Sequence, residues 1–429
     1  MEKVDVIIVG AGLAGLSCAY ELASPEMSVL VLERGDFSGS KNVTGGRIYL
    51  RPILPYISDL WEEAPFERHV VKEMITFMGD DNSTTFELYS NRFNQKPYPS
   101  YTILRANFDR WLSEKVSEKG AFIITQRRVD DLIIDRGKVI GIRIGDEEIG
   151  ADCVIAADGI LSFLAEKAAL RGPLNLEHFA LGFKEIIKLD PKIIEDRFGL
   201  GENEGAAHLF IGSITKGMMG GGFIYTNKES LSLGLVIGLH SLNARLIHEE
   251  VYKLLDEFKE RPEIRNLIRG GEVLEYSAHL VNEGGIHAMP KLYTDGMLLV
   301  GDAAGLGLNM LFTVRGMEYA IVSGVLAAET IKRAKKRNDF SKKSLSEYEK
   351  LLNESFIMRE METFKNIPKV LRNERVFNKY PQIIPSLFED LMWVDETPKQ
   401  GIYRTKIARL RKEFFNLQTL KDWLLFRKI

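Results

Sequence analysis

The feature that most restricts the fold of this chain is a glycine turn set between a strand and a helix, Gly10-Ala11-Gly12-Leu13-Ala14-Gly15. Residues 4–9 are β-rich and almost wholly apolar, as a buried parallel strand is. Residues 13–23 read as a helix with small residues on one side, and 28–32 as a second strand, closing a βαβ unit of about 30 residues. Gly10 permits the tight turn, Gly12 lets the backbone approach a pyrophosphate, and Gly15 lets the helix pack on the sheet. The helix N-terminus turns free N–H groups and the positive end of its dipole toward the phosphates. Glu33 lies 18 residues beyond Gly15, where its carboxylate can accept from ribose hydroxyls. This unit alone does not separate NAD from FAD.

Two later turns address that choice. Val154-Ile155-Ala156-Ala157-Asp158-Gly159, with Ser162 beyond it, ends a predicted strand, and so does Val300-Gly301-Asp302-Ala303-Ala304-Gly305. A nicotinamide enzyme with one such unit has no need of two further turns of this kind. An extended FAD has, because its ribityl chain and pyrophosphate run past a later strand end. Asp302 would accept from ribityl hydroxyls, and the small residues after it allow close backbone contact. Taken singly, Ala157-Asp158-Gly159 reads equally well as a plain turn.

Bulk properties narrow the remainder. A chain of 429 residues is too long for one ordinary core. A formal net charge of −3 gives no reason to expect nucleic-acid binding. Cys18 and Cys153 have no metal-like spacing, so a disulfide framework, a zinc site and a cysteine-ligated cluster within the chain are not expected. No apolar run approaches the roughly 20 residues that span a bilayer. The early entry into a strand gives no signal-peptide pattern. The expected location is cytoplasmic, with peripheral contact on the cytoplasmic face of a membrane.

Along the chain, a helix is predicted at 107–119 and strands at 121–125, 129–135 and 138–144, with a turn at Arg136-Gly137. Residues 39–47 are glycine-rich and read as a loop. From about 174 the texture changes to strands and glycine turns, Gly220-Gly221-Gly222 among them. Strand 297–300 and a long helix over 316–336 then return to the first domain. The expected fold is α/β: a Rossmann-like FAD-binding domain (1–173 and 291–337), an inserted mixed-sheet substrate domain (174–290) and a helical C-terminal region (338–429). Residues 404–429 carry eight basic and two acidic side chains, interleaved with Phe414, Phe415, Leu417, Trp423, Leu424, Leu425 and Phe426.

The three turns together resemble the FAD-dependent group of aromatic hydroxylases, geranylgeranyl reductases and electron-transfer-flavoprotein quinone oxidoreductases. Five further segments resemble FixC proteins, the prokaryotic relatives of the last. They are Gly39-Ser40-Lys41-Asn42-Val43-Thr44-Gly45-Gly46-Arg47, Leu104-Arg105-Ala106-Asn107-Phe108-Asp109-Arg110-Trp111-Leu112, Gly217-Met218-Met219-Gly220-Gly221-Gly222-Phe223-Ile224-Tyr225-Thr226, Glu275-Tyr276-Ser277-Ala278-His279 and Thr313-Val314-Arg315-Gly316-Met317. The resemblance runs from residue 3 to at least residue 380.

That resemblance implies a set of cofactor contacts. Gly10, Gly12, Leu13, Ala14, Gly15, Glu33 and Arg34 would hold the ADP half of FAD. Gly45, Gly46 and Arg47 would lie near the isoalloxazine, Arg105 near the phosphates or ribityl chain, and Asp302 on the ribityl hydroxyls. Val129, Asp158, Gly159, Gly301 and Ala303 complete the set. Gly221, Gly222 and Tyr225 are candidates for a quinone pocket, although glycines there also suit a turn. Arg105 also reads as a solvated arginine at a helix start. No catalytic acid–base dyad or nucleophile stands out, the seven histidines are scattered, and no metal ligands are assigned.

The implied activity is transfer of electrons from reduced electron-transferring flavoprotein, via FAD, to a membrane quinone. Larger relatives carry their own [4Fe–4S] domain, so the resemblance implies a separate FixX-type ferredoxin-like subunit here. Respiratory transfer and participation in a bifurcating complex stay open. So do two alternatives: an isoprenoid double-bond reductase of the geranylgeranyl-reductase kind, and a non-enzymatic flavin relay. The basic, aromatic C-terminus suits three arrangements: docking that subunit, lying on anionic lipid, or packing on the protein with a solvated basic face.

Overall fold

A computed structural model describes residues 2–42, 45–57, 60–245, 251–396, 408 and 416–427. The chain divides into two compact units, each assembled from separated stretches. The first comprises Met1–Val70, Phe93–Phe179 and His279–Thr363, the second Val71–Arg92, Ala180–Ala278 and Phe364–Ile429.

In the first unit the apolar runs read from the sequence become the strands of a largely parallel sheet. Met297–Leu299, Glu147–Ala156, Glu2–Val9, Val29–Leu32 and Phe122–Ile124 lie side by side in that order, all parallel. Both faces are covered, which is why Val6, Ile7, Ile8, Val154, Ile155, Leu298 and Leu299 are fully buried and the strands show little alternation. An antiparallel hairpin, Asp131–Asp135 with Lys138–Ile144, extends from strand Glu147–Ala156. Arg136 and Gly137 both have positive φ, 47° and 83°, the geometry of a two-residue turn that follows strand twist. Helix Leu13–Leu22 packs against the long helix Met317–Arg337, and Gly324 makes this close approach possible. A Cβ there would lie 2.2 Å from the Ala14 carbonyl oxygen. The long helix has Glu318 in its first turn, three cations in its last, and Asn338 in the left-handed conformation at its end, all favourable to its dipole and caps.

The predicted loop 39–47 differs from the structure at its end. Gly46–Tyr49 is a strand, antiparallel to Ser100–Ile103. Glycine content argued for a loop, but at Gly46 the absent side chain leaves room for Met317, whose Cε lies 3.1 Å from the Cβ position.

The second unit is built on a sheet in the order Glu272–Asn282, Phe179–Lys188, Ser230–Gly238, Gly220–Thr226, Glu204–Gly212, His69–Met78, with Ser83–Tyr89 beyond the last; the four strands from Phe179–Lys188 to Glu204–Gly212 pair antiparallel in turn, as Ser83–Tyr89 does with His69–Met78. Helices Pro191–Phe198, Lys253–Glu260 and Pro262–Ile268 bury Ile194, Phe198, Leu254, Leu255, Phe258 and Ile264 in one cluster with Phe183, Phe210, Leu233 and Leu235 from the strands. Helix Pro191–Phe198 is bounded as its sequence dictates: Asp190 caps it, proline occupies its first turn, and Gly199 ends it at φ 59°. Gly220-Gly221-Gly222, expected as a turn, instead opens a strand. Each glycine is fixed by crowding: a Cβ at Gly221 would lie 2.5 Å from the Phe210 carbonyl oxygen, and one at Gly222 2.8 Å from the Phe258 ring.

Candidate cofactor site

Strand register brings the three motifs to one edge. Val9 pairs with Leu32 on one side and Ala156 on the other, and Ala156 pairs with Leu299. The residues that follow, Gly10, Glu33, Ala157-Asp158 and Gly301-Asp302, therefore leave the sheet together at its carboxyl edge. Strand Glu2–Val9 is where the order reverses: the chain builds outward on one side first, then on the other. That edge, at such a reversal, is where open parallel sheets bind ligands.

The glycines of the first turn are held for different reasons. Gly10 has φ 108°, and a Cβ on it would lie 2.2 Å from the Ala157 carbonyl oxygen; one on Gly15 would lie 2.0 Å from that of Gly10. Gly12, which precedes helix Leu13–Leu22, has φ −87° and would meet no atom within 4 Å. Nothing in the protein requires glycine at Gly12, so the cradle it leaves open suits a pyrophosphate pressed against the backbone. Leu13 and Ala14 supply the N–H groups of this first helical turn and are themselves buried.

Glu33 is buried at the end of its strand, its Oε2 accepting from the Ala11 N–H at 2.9 Å and its Oε1 from the Gly35 N–H at 2.7 Å. A carboxylate has about four acceptor positions, so capacity remains for a ribose. Arg34 is exposed. The backbone N–H groups of Gln126 and Arg127 donate to the carbonyls of Gly35 and Glu33, which sets half-buried Val129 beside this strand end.

Asp302 stands in the short 3-10 turn Gly301–Ala304, whose tight start needs Gly301: φ is 59° and a Cβ would lie 2.7 Å from that of Ala14. Gly301 donates its N–H to Ser323 Oγ at 2.9 Å, tying the turn to the long helix, and Ala303 is buried. The Asp302 side chain is accessible at this carboxyl edge of the sheet. Burial pushes its carboxyl up, while the charges of His279 and Arg105 pull it back. Arg105 is held by a two-pronged pair with fully buried Asp109, Nε to Oδ1 and Nη2 to Oδ2, both 2.8 Å. Asn42 donates to the same Asp109 at 2.5 Å, which joins the 39–42 stretch to this helix. Asp158 turns its carboxylate to local use, accepting from Ser162 Oγ at 2.7 Å and the Leu164 N–H at 3.3 Å at the start of helix Phe163–Lys167. Gly159 follows at φ 79° with open space at its Cβ position.

Gly45 is buried with φ 83°. Arg47 donates from Nε to Ser100 Oγ at 3.0 Å, with its guanidinium over the Tyr49 ring. Val43 and Thr44 lie outside the described residues. Gly221, Gly222 and Tyr225 belong to the second unit, on strand Gly220–Thr226, where Tyr225 stacks on Phe223 with ring centroids 5.2 Å apart.

Three features escaped the sequence reading. The Arg105–Asp109 pair carries an i,i+4 signal that could have been used. Gly316 precedes the long helix with φ −167° and, like Gly12, open space at its Cβ position. Glu283 is 7% exposed and its Oε2 has no partner; burial pushes its carboxyl up to about 8, against a hydrogen bond with Asn309. No local pattern announces such a group. Its neighbour Asn282 donates to the Gly305 carbonyl at 2.6 Å, so it borders the segment that follows the Asp302 turn.

The open cradle at Gly12, a buried acid at the next strand end and an accessible aspartate beside an arginine fit FAD, and comparison with known proteins agrees. Residues 5–74 match the family model described as FAD dependent oxidoreductase, and residues 179–281 the one described as ETF-QO, ubiquinone-binding. The fold and this site define an FAD-dependent oxidoreductase. The probable electron transfer flavoprotein-quinone oxidoreductase YdiS of Escherichia coli (strain K12) is 42% identical over 98% of this chain and 97% of its own length. The FixC proteins of Salmonella typhi and Azotobacter vinelandii are 44% and 39% identical, each across 98% of this chain and 97% and 96% of theirs. The chain belongs to the FixC family of electron-transfer-flavoprotein-quinone-oxidoreductase-like enzymes. Among solved structures, a geranylgeranyl bacteriochlorophyll reductase-like protein of Thermoplasma acidophilum shares the fold, with a TM-score of 0.72 at 23% identity over 96% of this chain and 99% of that one.

Proposed function

We propose that this enzyme takes electrons from a reduced electron-transferring flavoprotein and delivers them to a membrane quinone. The observation that carries the proposal is the match of residues 179–281, the core of the second unit, to a ubiquinone-binding family model in a chain whose first unit fits FAD. The FAD supplies the redox chemistry when bound. The protein's own residues bind and orient. Gly12 and the N–H groups of Leu13 and Ala14 receive the pyrophosphate, Glu33 the ribose, Asp302 the ribityl hydroxyls, and Arg105 a phosphate or the ribityl chain. Gly45, Gly46 and Arg47 border the ring, and Arg34, Val129, Asp158, Gly159, Gly301 and Ala303 complete the lining. Gly221, Gly222 and Tyr225 are the candidate residues of the quinone site, and the enzyme meets the membrane peripherally.

A separate ferredoxin-like subunit with a [4Fe–4S] cluster belongs to the same proposal. Cys18 and Cys153 are fully buried free thiols, and two cysteines fall short of the four thiolates that such a cluster takes. Among the described residues no group of three or more His, Cys, Asp or Glu side chains is placed to hold a metal ion.

The test is anaerobic. The reduced enzyme is mixed with a soluble short-chain quinone and the return of oxidised-flavin absorbance is followed. Rates that saturate with quinone support a site on this chain, and Tyr225→Leu should then raise the half-saturating concentration without changing the flavin spectrum. Rates that rise without limit, in parent and variant alike, would remove the quinone site from this chain.

A further inference from the structure

We propose that helix Leu417–Phe426 is a lipid-docking element, which lays its outward apolar side into an anionic membrane surface. The assignment deepens the quinone reading and rests on it. In a water-soluble protein a surface helix turns its apolar side inward; this one is inverted. At about 3.6 residues per turn, Leu417, Leu420, Trp423 and Leu424 share one side, and they are 80%, 56%, 67% and 52% exposed. Thr419 and Asp422 lie on the other side, at 1% and 4%.

The polar side is anchored. Arg375 donates from Nε to Asp422 Oδ2 at 2.7 Å and Asn373 from Nδ2 to Oδ1 at 2.8 Å, and the Tyr380 hydroxyl donates to the same carboxylate. Arg375 Nη2 also donates to Thr419 Oγ1 at 3.2 Å, and Asn416 caps the helix by accepting the Thr419 N–H at 2.9 Å. Burial works to raise the Asp422 carboxyl, yet these donors hold it below the usual range. Rolling the helix to hide its leucines would break this anchor. The outward side is therefore fixed as apolar.

Charge selects the occupant. Asp422, the helix's only acid, is turned inward and paired, whereas Lys421 is exposed beside the apolar strip and Arg427 at its C-terminal end. Residues 404–429 as a whole carry eight basic and two acidic side chains. Leucines beside a tryptophan, edged by cations, match a headgroup boundary rich in anionic lipid.

The full-length, FAD-loaded enzyme is sedimented with vesicles of phosphatidylcholine containing about one quarter phosphatidylglycerol. The parent should pellet with these vesicles and far less with phosphatidylcholine alone. L420E/W423E should lower the partition coefficient by on the order of 10-fold or more. K421E/R427E should weaken binding and reduce its salt dependence. All four side chains are exposed, so flavin absorbance and thermal midpoint should match the parent and show that the variants fold. Equal pelleting of parent and L420E/W423E would overturn the assignment. So would an apolar side that captures a ferredoxin-like subunit while the parent ignores vesicles. Reduction of a soluble quinone separates the two ideas: its absence in the parent defeats the electron-transfer reading and leaves the vesicle result standing.

Discussion

At Gly12 a side chain would meet no protein atom within 4 Å, whereas at Gly10 and Gly15 it would collide with backbone oxygens. The three substitutions should therefore separate. Gly12→Val should leave the thermal stability of the FAD-free protein within about 0.5 kcal/mol and weaken FAD binding on the order of 100-fold. Gly10→Ala and Gly15→Ala should cost stability before any cofactor is added, by roughly 1–3 kcal/mol. Fluorescence titration with FAD and urea melts of the apoprotein read both quantities. Glu283 makes a second residue-scale prediction. Its folded carboxyl sits at about 8, above the ordinary 4.5, so folding favours the protonated form. Below pH 4.5 both states are protonated and nothing is lost. As pH rises from 4.5 toward 8 the unfolded state ionises first, and stability falls by up to about 1.4 kcal/mol per pH unit. Glu283→Gln should flatten that slope by close to one proton in urea melts between pH 5 and 8. His208 works from the other side: burial lowers its imidazole to about 3, so its contribution is present above pH 6.5 and lost on acidification.

Packing of whole elements depends on Gly324, where the long helix meets the backbone of helix Leu13–Leu22. Gly324→Leu should destabilise the first unit by about 3 kcal/mol. It should also lower FAD affinity, because the displaced helix carries Leu13 and Ala14; a melt and a titration on one preparation check both effects. Elements of this kind were legible in the sequence where their signal is local. The buried parallel strands announce themselves as short apolar runs, and the Arg136-Gly137 turn by its glycine. The approach of Gly10, Glu33 and Asp302 to one edge follows once those strands are placed, since each motif directly follows a strand. Elements fixed from afar were not legible. Gly220-Gly221-Gly222 carries turn chemistry, and only Phe210 and Phe258, distant in sequence, explain why it lies in a strand. Gly46 joins a strand for a similar reason, with Met317 against it. The environment of Glu283 is tertiary throughout, and the inverted helix Leu417–Phe426 reads as ordinary amphipathic sequence until Arg375 and Asn373 show which side faces in.

For the molecule as a whole, two buried cysteines, Cys18 and Cys153, where a [4Fe–4S] cluster takes four, set the expected composition. Purified enzyme should carry FAD near one per chain and neither iron nor acid-labile sulfide, by elemental and colorimetric assay. Iron bound stoichiometrically to this chain alone would defeat the separate-subunit proposal. The order of strands in the first unit has a consequence for biosynthesis. The glycine turn is synthesised long before strand Met297–Leu299, which pairs with Val154–Ala156, and the helix that covers Ala14 follows that strand. A nascent chain stalled before Met297 already holds the βαβ unit, but one edge of its sheet is unpaired and one face of its first helix bare. Flavin capture thus waits for Asp302 and the long helix, which complete the edge that Gly10 and Glu33 begin.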